Sequence, residues 1–135
     1  MGSLLTQIAD METGLNRLQR HIPDMPVRQV LTSRLLVHLG KELASLLDQR
    51  LRPHGLSDIE YRSLMIVYSL RDSVAYPSEL CSSLCNSPAN ITRITDSLVE
   101  RGLISRVSDE QDRRRLVLKI TEQGERLMQS LLPLM

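Results

Sequence analysis

Two helix starts ten residues apart, at Pro77 and at Ser87, constrain the fold of this chain more than any other feature. Pro77-Ser78-Glu79-Leu80 opens a short helical segment ending near Leu84 and Cys85; Asn86 turns the chain, and Ser87-Pro88 opens a second helix. A serine at that position accepts a free backbone amide, and a proline in the first turn forfeits no helical hydrogen bond. The second helix runs through Arg101 and stops at Gly102, the residue type expected just past a helix end. Ile91, Ile94, Leu98 and Val99 fall on one face, Asn90, Arg93 and Ser97 lie largely away from them, and Thr92 sits at the flank. Strand-compatible runs follow at Leu103 to Val107 and Leu116 to Ile120, separated by the polar loop Ser108 to Arg115, which reads as a β-hairpin.

The flanking segments are helical. The apolar positions Leu4, Ile8, Met11, Leu15, Leu18 and Ile22 step as a heptad seam, so the first helix is expected over 4–22. Gly14 weakens it, and Pro23 and Pro26 end it. A long second helix over 27–52 carries Val30, Leu31, Leu35, Leu39, Leu43, Leu46 and Leu47 as its expected buried side, a stripe wide enough for more than one neighbour. Pro53 and Gly55 close it. Ser57-Asp58-Ile59-Glu60 is a capping box opening a helix to about Arg71 that buries Ile59, Leu64, Met65 and Tyr68. Residues 72–76 form a turn with a very short strand. A last helix opens at Thr121 and carries Leu127, Met128, Leu131 and Leu132. The fold class is therefore mostly α with a small β-hairpin wing: a winged helix-turn-helix (57–120) between helical regions at 1–56 and 121–135 that serve dimerisation.

Tyr61, Tyr68 and Tyr76 are the only aromatic residues, so the core must be aliphatic. The formal net charge is +1, and residues 76–120 hold seven Arg or Lys against six Asp or Glu. A broad basic surface is thereby excluded, and any binding to nucleic acid must rest on local geometry. No apolar run has the length of a membrane span and no basic-then-apolar leader opens the chain, so a cytoplasmic location is expected. Cys81 and Cys85 lack the neighbours of a metal site, and His21, His38 and His54 are scattered. No enzyme, cofactor or metal centre is expected.

A helix fits the major groove of duplex DNA, where asparagine pairs with adenine, arginine with guanine or phosphate, and threonine with phosphate or a thymine methyl. Asn90, Thr92 and Arg93 supply those groups. Arg113, Arg114 and Arg115 at the hairpin tip suit phosphates or a narrow minor groove, with Asp112 orienting a guanidinium.

Residues 57–125 resemble the MarR (multiple antibiotic resistance regulator) family. The most specific stretch is Asn90 through Ile104, followed by Asp112-Arg113-Arg114 and by Leu118-Lys119-Ile120-Thr121-Glu122-Gln123-Gly124. Within the family the chain is similar to the EmrR (MprA) branch of multidrug-efflux repressors, through its extra N-terminal helix, Leu31-Thr32-Ser33-Arg34-Leu35 and Pro77-Ser78-Glu79-Leu80. The resemblance implies a homodimeric repressor of a drug-resistance or efflux operon. Such a repressor sits on a palindromic operator of double-stranded DNA and is released by small lipophilic or phenolic effectors. It makes Asn90, Thr92 and Arg93 major-groove readers, and Arg113 and Arg114 minor-groove or phosphate contacts. Ser87 becomes a phosphate contact at a helix start, where free amides favour an anion. Family members continue beyond the helix that opens at Thr121, so a chain stopping at Met135 reads as a truncated form.

His38, Tyr61, Met65 and Tyr68 are the effector-site candidates, each with core packing as the competing role. Two other functions stand beside the main one: a redox-sensing regulator using Cys81 or Cys85, with Cys85 also read as a small buried residue at the helix corner, and a winged helix serving only as a protein-interaction module.

Overall fold

The structure, a computed structural model, describes residues 4–72 and 74–132. The chain divides into two compact units, with the boundary between Leu46 and Leu47.

The first unit holds α1 (Leu4–Gln19) and most of α2 (Val27–Leu51). Helix α1 ends three residues before the expected Ile22; beyond it the amides of His21 and Ile22 share the Leu18 carbonyl, at 2.9 and 3.0 Å. Of the heptad seam, Leu15 is buried, Ile8 and Met11 are half-buried, Leu18 and Ile22 are exposed, and the Leu4 side chain lies outside the described residues. The expected buried side of α2 is not buried either. Val30, Leu31, Leu35 and Leu47 are half-buried, whereas Leu39, Leu43 and Leu46 are about half exposed or more (46%, 58% and 54%). The helix carries more apolar surface than a single chain covers.

The second unit begins with the last turn of α2, where Leu51 is fully buried, and a 3-10 turn at Arg52–His54. Helices α3 (Asp58–Ser69), α4 (Pro77–Ser83) and α5 (Pro88–Glu100) follow, then strands β1 (Ile104–Ser108) and β2 (Leu116–Ile120), and α6 (Glu122–Leu131). The strands pair antiparallel from Ile104↔Ile120 to Ser108↔Leu116, so β1 starts one residue later than expected. The very short strand before α4 is a single bridge, Ala75↔Leu118; Ser73 in that stretch lies outside the described residues.

Leu64, Leu80, Ile91, Ile94, Leu98, Ile104, Leu118, Met128 and Leu131 form a closed aliphatic core, with Tyr61 its one buried aromatic. Each such side chain contributes about 1.5–3 kcal/mol on burial. Met65 departs from expectation, being 40% exposed, and Leu132, just past the end of α6, is also exposed. Helical periodicity turns Met65 away from the core that its neighbours fill.

Side-chain caps set the helix starts. Ser57 and Glu60 form the expected reciprocal box on α3. At α6 the Thr121 hydroxyl accepts the Gly124 amide at 3.0 Å and donates to the Gly102 carbonyl at 2.6 Å. A Cβ on Gly124 would lie 2.1 Å from the Leu103 carbonyl oxygen, so the glycine is required by backbone packing.

Candidate nucleic-acid interface

The geometry of α5 is set at its first turn. Ser87 Oγ accepts the Asn90 amide at 3.3 Å, and Pro88 occupies the first helical position. The residue that reverses the chain between α4 and α5 is Cys85, with φ +47°, rather than Asn86. Asn86 works through its side chain: Oδ1 accepts the Ser87 amide at 3.0 Å and the Asn90 side-chain amide at 2.8 Å. Cys85 is exposed, correcting the expectation of a buried residue at the helix corner, and Cys81 is half-buried.

The apolar face of α5 (Ile91, Ile94, Leu98) is buried, and its opposite face is open. Ser87, Thr92 and Arg93 are exposed and Asn90 half-buried. The groups are linked. Arg93 donates to Asn90 Oδ1 at 2.8 Å, and Asn90 in turn donates to Asn86. The Thr92 hydroxyl turns back onto the Pro88 carbonyl at 2.9 Å. A guanidinium held by a neighbouring amide loses less rotamer freedom on meeting a base or phosphate.

Two arginines that the sequence reading passed over lock this helix in place. Arg106, on β1, donates to the Asp96 carboxylate, the Thr95 hydroxyl and the Thr92 carbonyl. It shares the inward side of the strand with buried Ile104, the alternation that could have marked it. The contact also neutralises a carboxylate on the otherwise open face of α5. Arg101 donates to the Gly55 and His54 carbonyls at 2.8 and 2.7 Å, tying the end of α5 to the turn before α3. Ser97 donates to Glu60 at 2.8 Å. Partial burial works to raise the Glu60 pKa, but the Ser57 amide and hydroxyl, Ser97 and nearby Arg101 outweigh it and hold the carboxyl below its ordinary value.

In the wing, Arg113, Arg114 and Arg115 are all exposed. Asp112 shapes the tip through the backbone: its carboxylate accepts the Arg114 amide at 3.1 Å and its carbonyl the Arg115 amide at 2.9 Å. Arg115 stacks on the Tyr76 ring, 3.9 Å from its centre. The Tyr76 hydroxyl donates to Asp109 at 2.5 Å.

Of the effector candidates, His38 belongs to the first unit and Tyr61, Met65 and Tyr68 to the second. His38 lines an open cleft of about 410 Å³ in the first unit with Met11, Ser33, Arg34, Val37 and Lys41. Its Nε2 is buried without a hydrogen-bond partner. Tyr61 belongs to the core of the second unit, Tyr68 packs against that core beneath the Arg71 guanidinium, and Met65 is on the surface. No cluster of three or more His, Cys, Asp or Glu suited to a metal occurs among the described residues, and no helix there is long and apolar enough to cross a membrane.

A helix-turn-helix pair followed by an arginine-tipped antiparallel hairpin defines a winged helix-turn-helix protein. The MarR family model matches residues 56–116. The transcriptional repressor MprA of Escherichia coli K12 is 34% identical over 117 residues, covering 87% of this chain and 66% of MprA. The chain belongs to the MarR family. It spans just under two thirds of that relative's length. Among solved structures, CouR from Rhodococcus jostii RHA1 bound to p-coumaroyl-CoA is 28% identical with a TM-score of 0.66, covering 71% of this chain and 66% of CouR. Staphylococcus aureus MepR in its DNA-binding conformation shares the fold at 20% identity and a TM-score of 0.70, over 76% of this chain and 74% of MepR.

Proposed function

We propose that this chain is a cytoplasmic transcriptional repressor that binds a palindromic operator as a homodimer and controls a drug-resistance or efflux operon. The observation that carries the reading is the open polar face of α5, with Asn90 and Arg93 linked, in the same compact unit as the exposed wing arginines. In this reading Asn90, Thr92 and Arg93 read the major groove, Ser87 meets a phosphate, and Arg113 and Arg114 contact phosphates or the minor groove. The similarity to MprA, a repressor, supports regulation by blocking transcription. The exposed leucines of the first unit support self-association there. The cleft at His38, with its apolar Met11 and Val37, supports a small lipophilic or phenolic effector. The ligand held by CouR supports the same idea.

The test is fluorescence anisotropy on duplex DNA flanking the coding region, titrated over salt. Binding is expected to weaken as salt rises. Arg93→Ala and Arg114→Ala are each expected to lower affinity by about 1–3 kcal/mol where a base contact is lost. Wild-type affinity in both variants would overturn the reading.

A further inference from the structure

The wing has a second attachment to the body of its unit, separate from Arg106, and it centres on Tyr76. The Ala75↔Leu118 bridge brings the chain before α4 alongside β2. From there Tyr76 uses both ends of its side chain: the hydroxyl donates to Asp109 at 2.5 Å, and the ring carries the Arg115 guanidinium at 3.9 Å. Asp109 is only 6% exposed although it is a carboxylate, and both of its oxygens are used. One accepts from Tyr76 and the other from the Gln111 amide at 2.9 Å, while its own amide donates to the Arg115 carbonyl at 2.9 Å.

We propose that Tyr76 is a positioning residue for DNA binding: by holding Asp109 and Arg115 it fixes the wing tip so that Arg113 and Arg114 are presented to the backbone already ordered. Arg115 then serves as part of the support and not as a DNA contact. A free loop loses about 1–2 kcal/mol of backbone freedom per residue when it orders on a ligand, so a tip ordered beforehand binds more tightly with the same contacts. The proposal rests on the DNA-binding reading above.

The experiment compares Tyr76→Phe, which keeps the ring and removes the hydroxyl, with Arg113→Ala, Arg114→Ala and Arg115→Ala in the salt-titrated anisotropy assay. Tyr76→Phe and Arg115→Ala are expected to weaken binding about three- to tenfold, in the range of one hydrogen bond, with the salt slope unchanged. Arg113→Ala and Arg114→Ala are expected to lower the slope by about two each, one lost phosphate contact per protomer of the proposed homodimer. Wild-type affinity in Tyr76→Phe, or a reduced slope in Arg115→Ala, overturns the proposal. Hydrogen exchange at the Asp109 and Gln111 amides separates the two layers of the argument. Faster exchange in Tyr76→Phe at an unchanged melting temperature shows the attachment itself even if no duplex is bound, in which case the DNA-binding reading fails and takes the positioning role with it. Unchanged exchange overturns the attachment.

Discussion

The two units of this chain solve the problem of apolar surface in opposite ways. In residues 47–132 the leucines and isoleucines of the last turn of α2, α3, α4, α5, β1, β2 and α6 close on one another, and nine of them are at most 2% exposed: Leu51, Leu64, Leu80, Ile91, Ile94, Leu98, Ile104, Leu118 and Leu131. In residues 4–46 the leucine content is as high, yet Leu15 is the single buried apolar side chain among the described residues there. Leu5, Leu18, Leu36, Leu39, Leu43 and Leu46 face outwards. Hydrophobic residues are packing material in one unit; in the other they are largely exposed, and in the proposed function that exposed surface serves self-association.

Substitutions sharpen this contrast, and the largest effect is expected inside the closed core. Leu98→Ala should cost about 2–5 kcal/mol in chemical denaturation of the winged-helix unit, through lost burial and the cavity left behind. Its counterpart Leu43→Ala should change monomer stability by no more than about 0.5 kcal/mol while raising the dissociation constant for self-association in analytical ultracentrifugation. An equal stability loss in both would erase the distinction. Gly124→Ala comes next, at about 1–3 kcal/mol, because the new methyl would press on the Leu103 carbonyl; unchanged melting would show that the backbone yields there.

The smallest effect concerns pH. The hydrogen bond from Tyr76, with the Gln111 amide, holds Asp109 below the ordinary carboxylate range; the same bond to Asp109 raises the Tyr76 phenol. Arg115 opposes the rise in Tyr76 and Glu79 adds to it. Asp109 therefore contributes stability above its unfolded value, about 3.9, and loses it as pH falls through the lowered folded value. Tyr76 contributes below about 10 and loses that contribution as pH rises through its raised folded value. Wing exchange protection should be flat between about pH 5 and pH 9 and fall only outside that window. A transition near neutrality would contradict this assignment.

Much of the winged-helix unit was legible from local chemistry. Ser57-x-x-Glu60, Ser87-Pro88, Gly102 and Thr121-x-x-Gly124 each carry their helix boundary within four residues, so the elements and their order could be read directly. The open face of α5 followed from helical spacing. What escaped were bonds between distant residues: Arg106 with Asp96 across ten positions, Tyr76 with Asp109 across 33, and Ser97 with Glu60 across 37. No periodicity encodes such pairs; they exist only once the hairpin and helices are docked. The α2 stripe failed for a different reason. An apolar side chain states that burial is favourable, without stating which molecule provides the cover.

The triple grip of Arg106 on Asp96, Thr95 and Thr92 has an evolutionary corollary. If α5 and the wing bind DNA as proposed, this rivet fixes the pitch between groove reader and ribbon. New target sites would then be acquired by exchanging solvent-facing letters such as Thr92 or Arg93, whereas altering the distance between the two footprints would require dismantling the rivet first.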